Sequence, residues 1–563
     1  MQISSKKKNL IQLFLSVLIV LFVYQLLQVF HFRIDLTSEK RYTLSENTRQ
    51  LLAELDRPVY FEIYLDGELP HGFNKLKKAT IDLIEEFESY ADVEIAYNFI
   101  DVSAELNPRL REKNLQELTD RGLKPTSIQE SSRDGSVKQK IIVPGLFVHD
   151  RKKETPVNLL KSVSGLSADQ NLNHSIESLE YELSMAIRLL HQTKVKEIAF
   201  FTGQGELGEY EVADFTASLL QRYKVSRVTA HELSKDLQRF ACLIVAQPRH
   251  EFTKKAKYAL DQYIMNGGKV MWLIDEVVAS MDSISAKGMS MAYYKPLNLE
   301  DQLFKYGVRI NPDLVMDVQS QLIPVQSTAS GQEGKYVPAP WYYSPLLAPP
   351  SNHPITRKLN MVRVEFANSI DKVGKDTNLK HTVLLASSEY SRLEKVPTPI
   401  RLDIVGQKME AKDFPDGSKV MSVLIEGIFP SIFKNRIWDG IDRSTYKSES
   451  LPGKMIVISD GDIIKNRVRG MGGNIQMEAL GYDRYSRKTY GNRNFLLNCV
   501  DYLCDDEGWM NLRSREVKLR LLDKTKIREH RVFYQILNLG LPLVLLLFFA
   551  VLWHYIRRRR YGN

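Results

Sequence analysis

The longest apolar runs of this chain stand near its two ends. Residues 10–32 carry no formal charge and are interrupted only by Gln12, Ser16, Tyr24, Gln25, Gln28 and His31. A second run, 533–555, is most apolar over 541–553 and contains Pro542, which a membrane helix tolerates; Trp553 and Tyr555 suit a membrane interface. About 20 such residues in a helix cross about 30 Å of hydrocarbon, so both runs are predicted to be transmembrane helices rather than buried core helices. Residues 29–35 lack a small-x-small cleavage pattern and a cysteine for lipidation, so the first run reads as an uncleaved signal anchor.

Between them the pattern changes to alternating strands and helices. Residues 59–65 read as a strand, 73–90 as an amphipathic helix with Leu76, Ile81, Leu83, Ile84 and Phe87 on its apolar face and 93–102 as a second strand, with helix and strands continuing through 138–148. This is a small α/β domain with thioredoxin-like order. A helix at 176–191 precedes a regular alternation: strand 196–201, helix 210–223, strands 225–230 and 241–246, helix 253–266, strand 269–275. Such alternation predicts a parallel sheet wrapped by helices. Residues 320–354, rich in Pro, Gly, Ser and Gln, read as a long loop or insertion carrying Trp341, Tyr342 and Tyr343, with packing favoured over a partner-binding role for the aromatics. Strands at 381–387, 420–426 and 454–459 and a helix at 493–504 complete the larger α/β domain. The expected organisation is a cytoplasmic stretch 1–9, helix 10–32, small domain 33–165, large domain 166–515, charged connector 516–532, helix 533–555 and a basic cytoplasmic tail 556–563.

Charge bears on orientation. Lys6, Lys7 and Lys8 precede the first helix and Arg557, Arg558, Arg559 and Arg560 follow the second, so the positive-inside rule places both termini in the cytoplasm and the body outside; Lys524, Lys526, Arg528 and Arg531 on the opposite flank reduce that asymmetry. The net charge of +9 does not point to nucleic acid, because no basic helix or aromatic–basic interleaving accompanies it; anionic membrane lipids account for the terminal clusters. Three cysteines, Cys242, Cys499 and Cys504, form neither a disulfide framework nor a zinc spacing. None lies in the small domain, which excludes thioredoxin chemistry there. Eleven histidines are scattered without HExxH, and there is no GxSxG elbow and no P-loop, so any ATPase belongs to another subunit. No cofactor is implied.

Gly203, Gly205 and Gly208 spell GxGxxG between a strand and a helix, with Glu232 beyond. On spacing alone this is a dinucleotide fingerprint. Glu206, Glu209 and Glu211 argue for a tight turn instead, because carboxylates complement a helix N-terminus themselves and repel phosphate. Ligands of open α/β sheets bind at the C-terminal ends of the strands, which makes Thr202, Gly203, Gln204, Gly205, Glu206 and Asp275 the candidate ligand-binding residues. Asp460 and Asp462 follow another strand and join them, either as oxygen ligands for a divalent cation or as parts of a turn.

Five segments together resemble the GldG family, gliding-motility-associated ABC transporter components: DLTSEKRYTLS at 35–45, FTGQGE at 201–206, ISDGD at 458–462, GNRNFLLN at 491–498 and REVKLRLLD at 515–523. Their order and the terminal helices match along the whole chain. The resemblance implies a bacterial inner-membrane protein with a periplasmic body, acting beside a permease and a cytoplasmic ATPase. It also implies a large domain resembling the class I glutamine amidotransferase-like fold and a domain of an intraflagellar transport subunit. Gln204 stands where the family usually has histidine, and the loop lacks the cysteine an amidotransferase needs.

Three functions follow. A non-enzymatic auxiliary subunit would bind a ligand or protein partners with its body and contact the permease through its helices. An envelope- or glycan-acting enzyme would use Glu206, Asp275, Asp460 and Asp462 as acid and base. A tethered solute-binding protein would show a deep interdomain cleft.

Overall fold

The computed structural model describes residues 13–22, 24–25, 43–105, 107–131, 137–163, 166–192, 194–326, 336–351, 353–374, 378–407, 409–434, 446–470, 476–514 and 524–561. The chain divides into two units, one comprising Leu44–Arg515 and the other Met1–Thr43 with Glu516–Asn563.

Within Leu44–Arg515, the N-terminal sheet has the order Ile95–Phe99, Val59–Ile63, Gly145–His149, Glu154–Asn158. The first two strands are parallel, linked by the helix His71–Glu88, and the remaining pairings are antiparallel. Val59, Phe61 and Ile63 alternate inward, and the helix presents Leu76, Ile84 and Phe87 to the same core. The helix Ala168–His191 closes that core with Leu183 and Ile187; it starts earlier than the apolar periodicity implied because Ser167 and Gln170 form a capping box at its N-terminus. The strands expected through 138–148 are Val137–Ile142 and Gly145–His149, separated at Pro144.

The larger sheet has seven strands in the order Leu379–Ala386, Val420–Gly427, Gly453–Ile458, Val270–Leu273, Cys242–Ala246, Glu197–Thr202, Lys224–Thr229. The last five are mutually parallel. The expectation of a parallel sheet is corrected at one edge: Val420–Gly427 runs antiparallel to Gly453–Ile458, and Leu379–Ala386 antiparallel to it in turn. Cys242–Ala246 and Val270–Leu273 are buried at every position, since helices cover both faces. Ile198, Phe200 and Ile244 pack on one side with Phe215 and Phe495 from the helices Ala213–Leu220 and Asn492–Cys504. Ala199, Phe201, Leu243 and Val245 pack on the other against Leu260 and Tyr263 of Lys254–Met265.

Of the two readings of residues 320–354, the insertion holds and the single long loop does not. Ser320–Gln326 and Tyr336–Leu347 form an antiparallel pair, and Val362–Arg363 adds to the far edge. Trp341, Tyr342 and Tyr343 are buried in a cluster with Phe366, Leu314 and Phe414. This insertion, with the three-stranded sheet of Val277–Val278, Met289–Tyr294 and Thr398–Arg401, stands between strands Val270–Leu273 and Val420–Gly427 in sequence.

In the other unit, Arg531–Tyr561 is a continuous helix through Pro542. Among the described residues, Arg531–Arg559 is the one helix long and apolar enough to cross a membrane, and none of it is buried; Leu13–Phe22 is a shorter apolar helix. The ends of the first expected span, the lysines at 6–8, the segment 35–42 and residues 515–523 of the connector lie outside the described residues.

Candidate functional site

Four loops follow the C-terminal ends of neighbouring parallel strands: 203–211 after Glu197–Thr202, 247–251 after Cys242–Ala246, 274–276 after Val270–Leu273, and 459–462 after Gly453–Ile458. In the first, the glycine-rich turn caps itself. The Glu206 carboxylate accepts the amides of Gly203 at 2.9 Å and Gln204 at 2.8 Å, and Glu211 accepts that of Gly208 at 2.8 Å. Gly203 and Gly205 have φ of +128° and +74°, a region that glycine enters freely. The Gln204 carbonyl accepts from the amides of Arg249 and His250, tying this turn to the second loop, and Thr202 donates its hydroxyl to the Val228 carbonyl. Burial raises the Glu206 carboxyl above the usual range, and the amides it accepts offset part of that.

The carboxylates from the other loops meet. Asp275 accepts the amide of Gly461 at 2.6 Å and the side-chain amide of Gln247 at 2.8 Å. Asp460, fully buried, accepts the amides of Asp462 at 2.7 Å and Glu365 at 2.9 Å. Gly461 permits this approach: a Cβ there would lie 2.6 Å from Gln247 Cγ and 2.8 Å from Asp275 Oδ2. Burial first, and then the charge of Asp275, push the Asp462 carboxyl up to about 7; the same two causes, with Asp462 added, hold Asp460 well above the carboxylate range. Glu276, buried with one carboxylate oxygen lacking a hydrogen-bond partner, is pushed up to about 8 by burial and then by Glu300.

Asp275 and Asp462 line a cleft of about 1170 Å³. Gln247, Arg249, Glu211, Lys295 and Lys465 share its lining, whereas Thr202, Gly203, Gln204, Gly205, Glu206 and Asp460 do not. Cations answer its acids: Lys295 stands 3.9 Å from Asp275, Lys465 3.7 Å from both Asp462 and Glu211, and Arg249 3.2 Å from Glu211. Among the described residues no group of three or more His, Cys, Asp or Glu side chains is arranged to hold a metal ion.

Gln247 and Glu365 are the residues sequence reasoning missed. Gln247 carries a positive φ of 52° just past its strand, which no residue pattern announces, though its position at a strand end was available as a signal. Glu365 comes from an irregular segment of the insertion with no local signature.

The segment 195–499, which holds the whole seven-stranded sheet and the cleft, matches the family described as an ABC-type uncharacterized transport system, an auxiliary component. The chain belongs to this family of GldG-like ABC transport auxiliary proteins. Its role is therefore transport-associated. Residues 38–149 match a domain of unknown function (DUF7088). An uncharacterized protein of Borreliella burgdorferi is 21% identical to this GldG-like chain over 536 residues, covering 92% of it and 91% of the relative. A solved structure, the mmIFT52 N-terminal domain, aligns with 55% of the chain and 99% of its own length at 14% identity and a TM-score of 0.30.

Proposed function

We propose that this chain is a non-enzymatic auxiliary subunit of an ABC transport complex serving gliding motility. In this reading it is a two-pass protein of the bacterial inner membrane with cytoplasmic termini, and its periplasmic body takes a ligand in the cleft lined by Asp275 and Asp462. Its membrane helices contact the permease, and a cytoplasmic ATPase works in trans. The small domain serves as a thioredoxin-like module without redox chemistry, and the large one as a relative of the class I glutamine amidotransferase-like fold. The observation that carries the reading is the helix Arg531–Arg559, apolar and unburied, on a chain whose body belongs to a transport auxiliary family. A helix whose flanks carry Tyr and Arg and whose middle carries none is suited to lateral packing in a bilayer.

The test is crosslinking in intact membranes from single cysteines introduced along 533–555. Cys242, Cys499 and Cys504 are all buried, so the introduced thiol is the one that reacts. Crosslinks to an ABC permease along one helical face, with the ATPase co-purifying, are expected. A partner-free, monodisperse protein in mild detergent overturns the reading.

A second reading has one observation behind it: the Asp462 carboxyl at about 7 is in the range of a general acid. It makes the protein a glycan-acting envelope enzyme. New reducing ends released from peptidoglycan by the purified chain, and abolished in Asp462→Asn, would support it; no release removes it.

A further inference from the structure

The cleft has a second set of charges that its own carboxylates leave unanswered. Arg363, Arg467 and Arg484 line it together, and none makes an ion pair among the described residues. The remaining lining carboxylates, Asp282 and Glu365, form no ion pair with them either. Arg363 is half-buried, and one of its guanidinium nitrogens donates to Gln321 Oε1 at 3.2 Å. That oxygen also accepts from the hydroxyl of Ser344, and Gln321 and Ser344 are 4% and 0% exposed, so the arginine is held by a buried pair rather than free to turn away. Arg484 lies over the Tyr485 ring, 4.6 Å from its centroid, and donates to the Tyr485 hydroxyl, so it too is oriented. Arg467 and Arg484 are exposed, so the cost of a guanidinium withdrawn from water without a counter-ion falls on Arg363; an anion supplied from outside removes that cost and takes charge-assisted hydrogen bonds from the other two.

The same cleft has an apolar side. Val278, Ala279, Met281, Ile323 and Leu402 line it and are half-buried, with surface left to cover. A volume of about 1170 Å³ exceeds what a lone phosphate or carboxylate ion fills.

We propose that the cleft takes an anionic amphiphile, its phosphate or carboxylate head on Arg363, Arg467 and Arg484 and its apolar body on the wall that includes Met281 and Leu402. The inference rests on the reading of the cleft as a ligand site and names the class of ligand. Asp275 and Asp462, each already matched to a lysine, are not the head-group contacts. The guanidinium fork accepts both oxyanions, and the choice between them is left to the probe molecules.

The experiment is calorimetric titration of the full chain in lipid nanodiscs, corrected against empty discs. The probes are octyl phosphate, octanoate, inorganic phosphate and the neutral octyl glucoside. Octyl phosphate or octanoate should bind at one site per chain, and whichever binds more tightly identifies the head. Inorganic phosphate and octyl glucoside should each bind at least tenfold more weakly. Arg363→Gln and Arg467→Gln should each weaken the octyl anion about tenfold or more, as expected for loss of a charge-assisted hydrogen bond, while Arg109→Gln in the small domain leaves it unchanged. Arg467 is exposed, so its variant tests the head site without risk to folding.

Equal binding of octyl glucoside, no binding of either octyl anion, or indifference to both arginine variants overturns the proposal. Permease crosslinking retained alongside any of these results shows that the ligand class has failed and the auxiliary role has not. Loss of crosslinking with octyl-anion binding intact shows the reverse.

Discussion

Glu206→Ala separates a self-capped glycine turn from a loop open to phosphate. The carboxylate holds two amides, Gly203 and Gln204, at 2.9 and 2.8 Å. A hydrogen bond to a charged group contributes about 1.5–3 kcal/mol when its loss leaves the partner unpaired. Gly203 is exposed, so water replaces the acceptor there and that bond counts little; Gln204 is buried, so its amide loses the full amount. Burial also holds the Glu206 carboxyl above its usual range, and removing it relieves part of that penalty. The net cost is about 2 kcal/mol for Glu206→Ala and under about 1 for Glu206→Gln, which keeps an acceptor oxygen.

The change is local, and a chain with several hydrophobic cores need not unfold in one step, so hydrogen exchange over 197–212 in nanodiscs is the suitable assay. A local cost of about 2 kcal/mol corresponds to roughly 30-fold faster exchange of the Gln204 amide in Glu206→Ala. The reasoning is refuted if exchange at Gln204 is unchanged, or if ADP-ribose or phosphate protects these amides in the unaltered chain. Protection would mean that the amides are available to an outside anion.

Three other outcomes follow from the same geometry. The Asp462 carboxyl titrates near 7 in the fold against 3.8 in an unstructured chain, so the folded state binds more protons between those values. Stability then falls as pH rises from 3.8 to about 7, and Glu276, pushed up to about 8, adds to the fall in the same direction; melting should be higher at pH 6 than at pH 8, and Asp462→Asn should reduce that slope while Glu276 keeps part of it. Asp261, fully buried, accepts from Ser431, the Ile432 amide, Tyr306 and Gln262 at 2.6–3.0 Å. Asp261→Ala strands four buried donors and should cost about 3–5 kcal/mol, read as a lower denaturant midpoint of the unit Leu44–Arg515; a loss under 1 kcal/mol contradicts the geometry. Gly461→Ala puts a methyl 2.6 Å from Gln247 and 2.8 Å from Asp275, so about 1–3 kcal/mol of overpacking should appear as a lowered melting temperature, with none for Gly406→Ala, where the Cβ meets open space.

The parallel half of the large sheet was legible because burial on both faces writes strands as unbroken apolar runs, and Cys242–Ala246 is such a run. Tyr336–Leu347 was illegible for the opposite reason. It carries Pro338, Pro340 and Pro345, which read as loop, yet Pro338 and Pro340 pair with Pro324 and Leu322 in an antiparallel ladder. Residues two apart point their backbone nitrogens the same way, so two prolines spaced by two can both turn the missing donor away from the partner strand. The antiparallel edge was hidden because neighbours in the sheet, 379–386 and 420–427, are separated by the strands of the insertion, and nothing local records which way a strand runs.

The same contrast divides the cleft. Its acids Asp275 and Asp462 were found by a rule about topology, since both directly follow parallel strands and the ends of such strands converge. Its arginines could not be found that way. Arg363 ends a two-residue strand of the insertion, Arg467 precedes another short strand, and Arg484 sits in a turn after Tyr482–Asp483. No spacing connects them: Arg363 comes from the insertion, and Arg467 and Arg484 come from the segment after the strand Gly453–Ile458, so only the folded chain brings them to the mouth of the sheet. The strand ends therefore supply a neutralised acid floor, with a lysine beside Asp275 and another beside Asp462, while the insertion supplies Arg363 and the apolar wall and the segment after Gly453–Ile458 supplies Arg467 and Arg484. Exchanging the arginines or the apolar wall should then change which ligand binds, and exchanging floor residues should chiefly change stability and its dependence on pH.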